Sequence, residues 1–305
     1  MWSGSRGCEA RSETHGHGRR RACEARGMAR RIREVDVFGT GPFTGNPVAV
    51  VLDGEGLADD EMARISHWLN YSETVFVGPP TDPAADYAVR IFTPSFELPF
   101  AGHPTLGTAH AWLEAGGAPK DEAIVQECGI GLVTVRRSDD GGLSFAAPPL
   151  LRTGSPTAEE LAEACRQLRV DPVDVQRAEW VDNGPGWLAV ELSSVDAVLA
   201  VDPAPGEGKV GVLARCGADD PDGAAIEVRG FFPKDGATTE DPVTGSLNAS
   251  LAVWLVGDGT LTAPYRARQG TALGRHGLVD VTEDEGGGLW VGGATSTRVR
   301  GELTV

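Results

Sequence analysis

The sequence has 305 residues, of which 41% are hydrophobic and 23% charged, and its formal net charge is −17. No run approaches the roughly 18 apolar residues of a membrane-spanning helix, so a membrane protein is not expected. Such an acidic surface repels nucleic acid and anionic lipid, which makes a phosphate-backbone partner unexpected as well. The length predicts two domains of about 100 to 150 residues each.

The first 28 residues differ in charge from the rest of the chain. They carry six Arg against three Glu, a net charge of +3, which leaves −20 for the remainder. They show neither apolar periodicity nor a signal-peptide core, so we expect a disordered leader. Met28 directly precedes the first strand-like run, which makes it an alternative start of translation.

The cysteines lie at positions 8, 23, 128, 165 and 216. Their number is odd and their spacing includes no CxxC pair, which predicts free thiols in a reducing cytoplasm. The histidines likewise form no metal-ligand spacing, and no cofactor signature is present. We therefore expect neither a metal nor a cofactor.

The elements predicted in the first half are mostly short strands with a period of two. "REVDVF" and "PVAVVL" are joined by "GTGPFTG", which we assign to a tight turn because Pro42 interrupts it as a nucleotide loop. An amphipathic helix fits "DDEMARISHWLN", and strands fit "TVFV" and "YAVRIF" after it. A helix is predicted to start at Pro104, followed by strands at "GLVTVRR" and "GLSFAAP".

The second half repeats this plan. A helix fits "TAEELAEACRQL", strands fit "WLAVEL", "IEVRGFF", "HGLVDVT" and "LWVGG", and a second apolar helix is predicted to start at Pro242. Within the span from Tyr87 to Leu255, a first group of residues matches residues 139 positions later in the chain, and the next group matches residues 138 positions later. This internal repeat predicts a duplicated domain. We divide the chain into residues 29–150 and 151–305, leaving open whether the last strand returns to the first domain.

The two central helices, after Pro104 and Pro242, are small or apolar nearly all round, which predicts burial on every side. A strand-rich domain that wraps a mixed sheet around one central helix satisfies that demand. The predicted fold class is therefore α+β, with two pseudo-symmetric domains.

The starts of the two central helices are the candidate site. A helix N-terminus attracts a carboxylate, and Gly102 and Gly245 would allow close approach of the backbone. In the repeat alignment Asp241 takes the place of His103, so an acid and a base would flank one cleft, although both residues could simply cap their helices. Glu73, in "NYSETVFV", is a third candidate if its carboxyl is desolvated, and a surface glutamate otherwise.

Four motifs together resemble the PhzF-like isomerase family of phenazine biosynthesis, which shares the diaminopimelate-epimerase fold. They are "VDVFGTGPFTGNPVAVV", "SETVFV", "IFTPSFELPFAGHPTLG" and "EDPVTGS", in this order. The resemblance runs from about Arg33 to the C-terminus. It implies a site between the two domains and a homodimer.

The resemblance also implies roles for single residues. In the family's best understood enzyme, which isomerises trans-2,3-dihydro-3-hydroxyanthranilate, the glutamate of the SET motif moves a proton, and Glu73 matches that glutamate. His103, Asp241 and Ser246 match its neighbours, and Gly102, Gly245 and Ser246 would hold the carboxylate. We therefore expect a cofactor-independent isomerase of a small carboxylated metabolite.

Two alternatives stay open at this point. The chain could be a ligand-binding or interaction protein that keeps the fold without catalysis. It could also be an amino-acid racemase or epimerase that uses bases other than thiols, since related enzymes use two opposed cysteines and the motifs "FAGHPTLG" and "EDPVTGSLN" contain none.

Overall fold

The structure is a computed structural model, and it describes residues 29–138, 141–234 and 236–305. The leader predicted for residues 1–28 lies outside the described residues. Within the described ranges the chain forms seventeen strands and five α-helices, an α+β fold as predicted. None of the helices in these ranges is long and apolar enough to cross a membrane.

The first half contains eight strands and two helices. In chain order they are β1 (Ala29–Val37), β2 (Asn46–Val51), α1 (Asp59–Leu69), β3 (Thr74–Gly78), β4 (Tyr87–Phe92), β5 (Glu97–Leu98), α2 (Gly102–Glu114), β6 (Ile124–Cys128), β7 (Gly131–Arg137) and β8 (Leu143–Ala146). β2 runs parallel to β3 and β4 parallel to β6, while the other neighbours are antiparallel.

The second half repeats these pairings. Its elements are α3 (Ala158–Leu168), β9 (Val175–Trp180), β10 (Trp187–Leu192), α4 (Val195–Leu199), β11 (Lys209–Arg215), β12 (Ile226–Lys234), β13 (Ala237–Asp241), α5 (Gly245–Gly257), β14 (Tyr265–Gln269), β15 (Gly277–Glu283), β16 (Leu289–Gly293) and β17 (Thr295–Thr304). β10 runs parallel to β11 and β12 parallel to β14, as in the first half.

Each half wraps its sheet around one buried helix. Apolar side chains of α2 and α5, such as Leu106 and Leu251, are fully buried in one hydrophobic core that both halves share. A helix that is apolar on all sides is stabilised by burial on all sides, which is why the central helices were predictable. The amphipathic α1 and α3 pack on the outside, each in its own smaller cluster.

Two strand pairings join the halves. β8 pairs antiparallel with β16, and β17 pairs antiparallel with β1 along its whole length, so Ala29 lies opposite Thr304. The division of the chain at residues 150 and 151 stays a prediction, and β17 adds its hydrogen bonds to the first half.

The repeat alignment was correct in the first hairpin strand, where Arg90 matches Arg229, and wrong at the second helix. α5 begins at Gly245, three residues after Pro242, whereas Pro104 lies in the first turn of α2. The physical reason is that the β12–β13 hairpin is longer than the β4–β5 hairpin.

An ion pair in each hairpin fixes the true correspondence between the halves. Arg90 binds Glu97 across the first hairpin, and Arg229 binds Glu240 across the second. The offset is therefore 139 in the first hairpin strand and 143 in the second hairpin strand and the central helix. Asp241 takes the place of Leu98, and Ser246, not Asp241, takes the place of His103.

Candidate active site

Glu73 lies directly before β3 and points at the central helix of the first half. Strand side chains alternate, so Glu73 shares the face of Val75, which belongs to the core around α2. Its side chain is only 15% exposed. Burial first, and the Asp241 carboxylate second, raise the pKa of Glu73 to about 8, while the Lys234 ammonium opposes the rise.

His103 is the second residue of α2, and its ring faces Glu73. The distance from His103 Nε2 to Glu73 Oε2 is 3.3 Å. Burial lowers the pKa of His103 to about 3, so the imidazole is neutral near pH 7. Both facing atoms are buried and have no hydrogen-bond partner among the described residues, which leaves both free for a bound molecule.

The backbone of Pro47 fixes the tautomer of the His103 ring. Pro47 has no N–H, so its hydrogen bond with the imidazole uses the carbonyl oxygen as acceptor. Asn46 Nδ2 also lies 3.4 Å from Nδ1, but it gives its two hydrogens to Asp241 and Val243, so Nδ1–H remains the donor to Pro47. The unprotonated Nε2 therefore faces the carboxyl of Glu73 as an acceptor.

Asp241 ends β13 and is held by the first half of the chain. Asn46 Nδ2 donates to Asp241 Oδ1 at 2.9 Å and to the carbonyl of Val243, also at 2.9 Å. Burial raises the pKa of Asp241 to about 6, although hydrogen bonds from Thr244 and Asn46 oppose the rise. Asp241 is therefore mostly ionised at pH 7, next to a carboxyl group that is mostly protonated.

The starts of α2 and α5 face each other through their glycines. A Cβ built on Gly245 would lie 3.0 Å from the backbone nitrogen of His103 and 3.2 Å from Gly102 Cα. A side chain at Gly245 would require the backbone at Gly102 and His103 to shift by a few tenths of an ångström. Neither helix has a side-chain cap at its N-terminus, so the N–H groups of both first turns remain available to an anion.

Ser246 is the second residue of α5, and the second half holds it in place. Trp187 Nε1 donates to Ser246 Oγ at 3.0 Å, and Asn183 Nδ2 donates to the Ser246 carbonyl at 3.0 Å. The Ser246 hydroxyl therefore has a fixed position and can still donate its own proton.

Gln269 braces the turn that carries Asp241 into α5. Its Nε2 donates to the Asp241 carbonyl at 3.1 Å and to Thr244 Oγ1 at 2.9 Å. Its Oε1 accepts from the Thr244 backbone at 3.0 Å and from Asn248 Nδ2 at 2.8 Å. Buried and fully paired, this amide fixes the angle between β13 and α5.

A cavity of about 340 Å³ lies at the tip of the β12–β13 hairpin. Lys234, Gly236 and Ala237 line it together with Arg166 and Glu207. Glu73 does not line this cavity. Lys234 is close enough to both this cavity and Glu73 to affect each, because the charge of its ammonium lowers the pKa of the Glu73 carboxyl.

The cysteines of the described ranges are free, and none lies at either helix start. Cys128 ends β6, Cys165 is buried in α3, and Cys216 follows β11. Burial raises the pKa of all three thiols, which keeps them protonated near pH 7. Two opposed thiolates are therefore not part of this site.

The structure brings together all six residues that the sequence suggested: Glu73, Gly102, His103, Asp241, Gly245 and Ser246. Three supporting residues were missed: Asn46, Gln269 and Trp187. Asn46 stands directly before a proline at the start of a strand, inside the motif "TGNPVAVV", which is the one signal that could have found it. Gln269 and Trp187 lie outside the motifs that contain the site residues they support. No local sequence pattern marks either of them as part of a site.

Comparison with known proteins identifies the family. The family model PhzC-PhzF, described as phenazine biosynthesis-like protein, matches residues 35–303. The chain belongs to this family. A solved structure has the same fold. The PhzF-family phenazine biosynthesis protein of Bacillus anthracis superposes on this chain with a TM-score of 0.77. That similarity covers 91% of this chain and all of the other at 20% identity, so it shows the fold alone.

Two curated relatives show how far the PhzF family likeness extends in sequence. Trans-2,3-dihydro-3-hydroxyanthranilate isomerase of Pseudomonas fluorescens is 33% identical over 258 residues, which cover 80% of this chain and 87% of that protein. Antisense-enhancing sequence 1 of Schizosaccharomyces pombe is 34% identical over 295 residues, with 89% and 97% coverage. Several relatives are named isomerases, and this chain is an enzyme of the isomerase class.

Proposed function

We propose that this isomerase moves a proton within a small carboxylated substrate, with Glu73 as the acid–base group and without a cofactor. Trans-2,3-dihydro-3-hydroxyanthranilate is the first candidate substrate, because a relative that covers 80% of the chain is named for its isomerisation. The observation that carries the proposal is the buried carboxyl of Glu73, which lies 3.3 Å from a neutral imidazole.

The pKa of Glu73 suits a group that both takes and returns a proton. With a pKa of about 8, Glu73 is mostly protonated at pH 7, and ionising it there costs only on the order of 1 kcal/mol. Glu73 would remove a proton from one carbon next to a π bond and deliver it to another. The double bond then shifts, and the carboxyl returns to its starting state.

His103 and Asp241 would orient the substrate rather than exchange its carbon-bound proton. The neutral Nε2 of His103 can accept a hydrogen bond from a substrate hydroxyl or amine, and it lies beside the reacting carboxyl. Asp241, mostly ionised and held by Asn46, can accept a second one. A carboxylate that stays charged so close to Glu73 also keeps the pKa of Glu73 high.

The helix starts would bind the carboxylate of the substrate. Two uncapped first turns meet at Gly102 and Gly245, and their N–H groups and dipoles favour a negative charge. The Ser246 hydroxyl can add a directed hydrogen bond. An anion would thus bind at the centre of a protein whose net charge is −17.

The test is conversion of trans-2,3-dihydro-3-hydroxyanthranilate in deuterated water by the wild type, Glu73→Gln and Glu122→Gln. Glu122 is an exposed glutamate outside the site and serves as the matched control. We expect turnover with deuterium incorporated at carbon by the wild type and the control, and loss of at least 100-fold in Glu73→Gln. The Gln variant should still bind the substrate.

Three other outcomes would each reject part of the proposal. Full turnover by Glu73→Gln would remove Glu73 from the mechanism. Binding without turnover or deuterium exchange in the wild type would favour a ligand-binding protein. Exchange with inversion of a stereocentre, and no shift of a double bond, would favour an epimerase. The homodimer and the cytoplasmic location stay predictions of the sequence.

A further inference from the structure

Lys209 takes the place in the second half that Glu73 takes in the first. In the strand registers Phe76 lies opposite Arg90, and Val212 lies opposite Arg229. The two arginines correspond, since each binds the glutamate of its own hairpin. Glu73 lies three residues before Phe76 and Lys209 three residues before Val212, so the two residues are related by the pseudo-symmetry of the fold.

The Lys209 side chain points toward the start of α5. Lys209 lies opposite Trp187 in the parallel pairing of β10 and β11, so both side chains lie on one face of the sheet. Trp187 uses that face to donate to Ser246 Oγ. Gly211, the next residue of β11 on the same face, approaches Leu247 so closely that a Cβ would lie 2.5 Å from Leu247 Cδ1.

The Lys209 ammonium is half-buried and has no direct partner within the described ranges. No hydrogen bond or ion pair of these ranges uses its Nζ, and the Asp182 carboxylate acts on it only through its charge. The Asp182 carboxylate instead accepts the N–H groups of Gly184 and Gly186, at 2.7 and 2.6 Å. Burial lowers the pKa of Lys209, and the nearby Asp182 charge opposes this.

We propose that Lys209 binds the substrate carboxylate on the second-half face of the cleft and so orients the substrate toward Glu73 on the first-half face. A half-buried cation on the sheet face of Trp187, which holds the Ser246 hydroxyl at an uncapped helix start, has the chemistry of a carboxylate site. The pseudo-symmetry then gives two matched positions different tasks, because Lys209 binds the anion and Glu73 moves the proton. This inference rests on the proposed function, since it assigns the carboxylate of that substrate.

Binding of two matched ligands tests the assignment. 3-Hydroxyanthranilate carries a carboxylate, and 2-aminophenol is the same ring system without it. The proteins are the wild type, Lys209→Met, Lys209→Arg and Arg215→Met, and the dissociation constants are measured by titration calorimetry. Arg215→Met is the control, because it removes one positive charge from the far, exposed end of β11.

We expect Lys209→Met to raise the dissociation constant of 3-hydroxyanthranilate by roughly 10- to 100-fold, as the loss of one charge-assisted hydrogen bond predicts. The dissociation constant of 2-aminophenol should not change. Lys209→Arg should recover part of the loss, and Arg215→Met should bind both ligands like the wild type. Equal weakening of both ligands by Lys209→Met, or no weakening, would overturn the role of Lys209.

A spectroscopic measurement keeps the inference separate from the proposed function. The sequence contains only three lysines, Lys120, Lys209 and Lys234, so lysine labelled with ¹³C at Cε gives three signals. Absence of one signal in Lys209→Arg assigns it. Binding of 3-hydroxyanthranilate should change the chemical shift of the Lys209 signal, whereas binding of 2-aminophenol should not.

Each result of this measurement decides one of the two proposals. An unmoved Lys209 signal in a wild-type enzyme that binds 3-hydroxyanthranilate would reject Lys209 and leave the proposed function intact. If the wild type binds neither ring compound, the aromatic substrate is wrong, and sodium acetate becomes the probe. A Lys209 signal that acetate moves more than the Lys120 signal supports the carboxylate site, and one that acetate leaves in place overturns it.

Discussion

Glu240 and Asp241 are adjacent in sequence and point to opposite faces of β13. Glu240 binds the Arg229 guanidinium, with Oε2 2.7 Å from Nη2, and both side chains are less than 10% exposed. Asp241 faces the start of α5 and accepts from Asn46. Strand alternation therefore divides this acidic pair into one structural group and one group of the candidate site.

The pH dependence of turnover should follow the ionisation of Glu73. If Glu73 first acts as a base, kcat/KM rises as its carboxyl loses a proton and levels off above a pH of about 8. Near pH 7 most of the enzyme then carries the protonated, inactive form of Glu73. The profile is measured from pH 5 to 10. A rate that falls through pH 8 would mean that Glu73 starts as an acid.

Two charge-removing variants should move this profile in opposite directions. The Asp241 charge raises the pKa of Glu73, so Asp241→Asn should shift the rise of kcat/KM to lower pH. The Lys234 charge lowers the same pKa, so Lys234→Met should shift the rise to higher pH. The positions of the midpoints are compared, not the absolute rates. Shifts of equal sign would contradict the electrostatic coupling.

Ionisation of the buried Glu73 carboxyl should lower the free energy of unfolding in alkaline solution. Its pKa is about 8 when folded and about 4.5 when unfolded, so the folded state binds the extra proton between these values. The stabilising contribution is complete below a pH of about 4.5 and is lost as the pH rises through about 8.

Glu73→Gln should therefore gain stability over the wild type at pH 8.5 and much less at pH 5. The difference is on the order of a few kcal/mol and is measured by urea denaturation. Glu122→Gln, on the surface, should show no such dependence on pH. A Gln variant that is destabilised equally at both values would show that the Glu73 carboxyl is not strained by burial.

The hairpin ion pairs should differ in energy although they occupy equivalent positions. Arg229 and Glu240 are 6% and 8% exposed, and the Arg229 Nη1 also donates to the Val201 carbonyl at 2.7 Å. The equivalent residues Arg90 and Glu97 are 36% and 40% exposed. A buried charge that has lost its partner destabilises the folded state strongly, because it stays desolvated. Water screens the charges of an exposed pair, so the loss of one partner matters less there.

We expect Arg229→Met to lower the free energy of unfolding by about 3 to 5 kcal/mol, and Arg90→Met by less than about 1 kcal/mol. Chemical denaturation at pH 7 measures both. Equal losses would mean that burial does not determine the strength of these pairs.

The sequence predicted the strands and the two central helices because their signals are local. Alternation marks "YAVRIF" and "WLAVEL", and an apolar surface all round marks α2 and α5. The start of α5 was misplaced because Pro242 looks like a first-turn proline, while the hairpin before it had gained residues. The register of the β12–β13 hairpin and the Arg229–Glu240 contact across it reveal the greater length of this hairpin.

The candidate site was predictable in its residues and not in its chemistry. "SET" and "FAGHP" supplied Glu73 and His103, but their pKa values depend on how deeply other segments bury them. The support from Asn46 crosses about 200 residues of chain to reach Asp241. Lys209 stands in the plain run "GEGKVGV", and only the strand registers relate it to Glu73.

The pairing of β1 with β17 places Ala29 beside Thr304, so the backbone of the described fold nearly forms a closed ring. In such a ring the covalent order of the halves matters little to the packing. A gene rearranged to join these ends through a short linker, and opened between β8 and α3, would encode a circularly permuted enzyme with the same neighbours on every strand. Gene duplication followed by such closure would explain how two copies of one unit came to share a single candidate site.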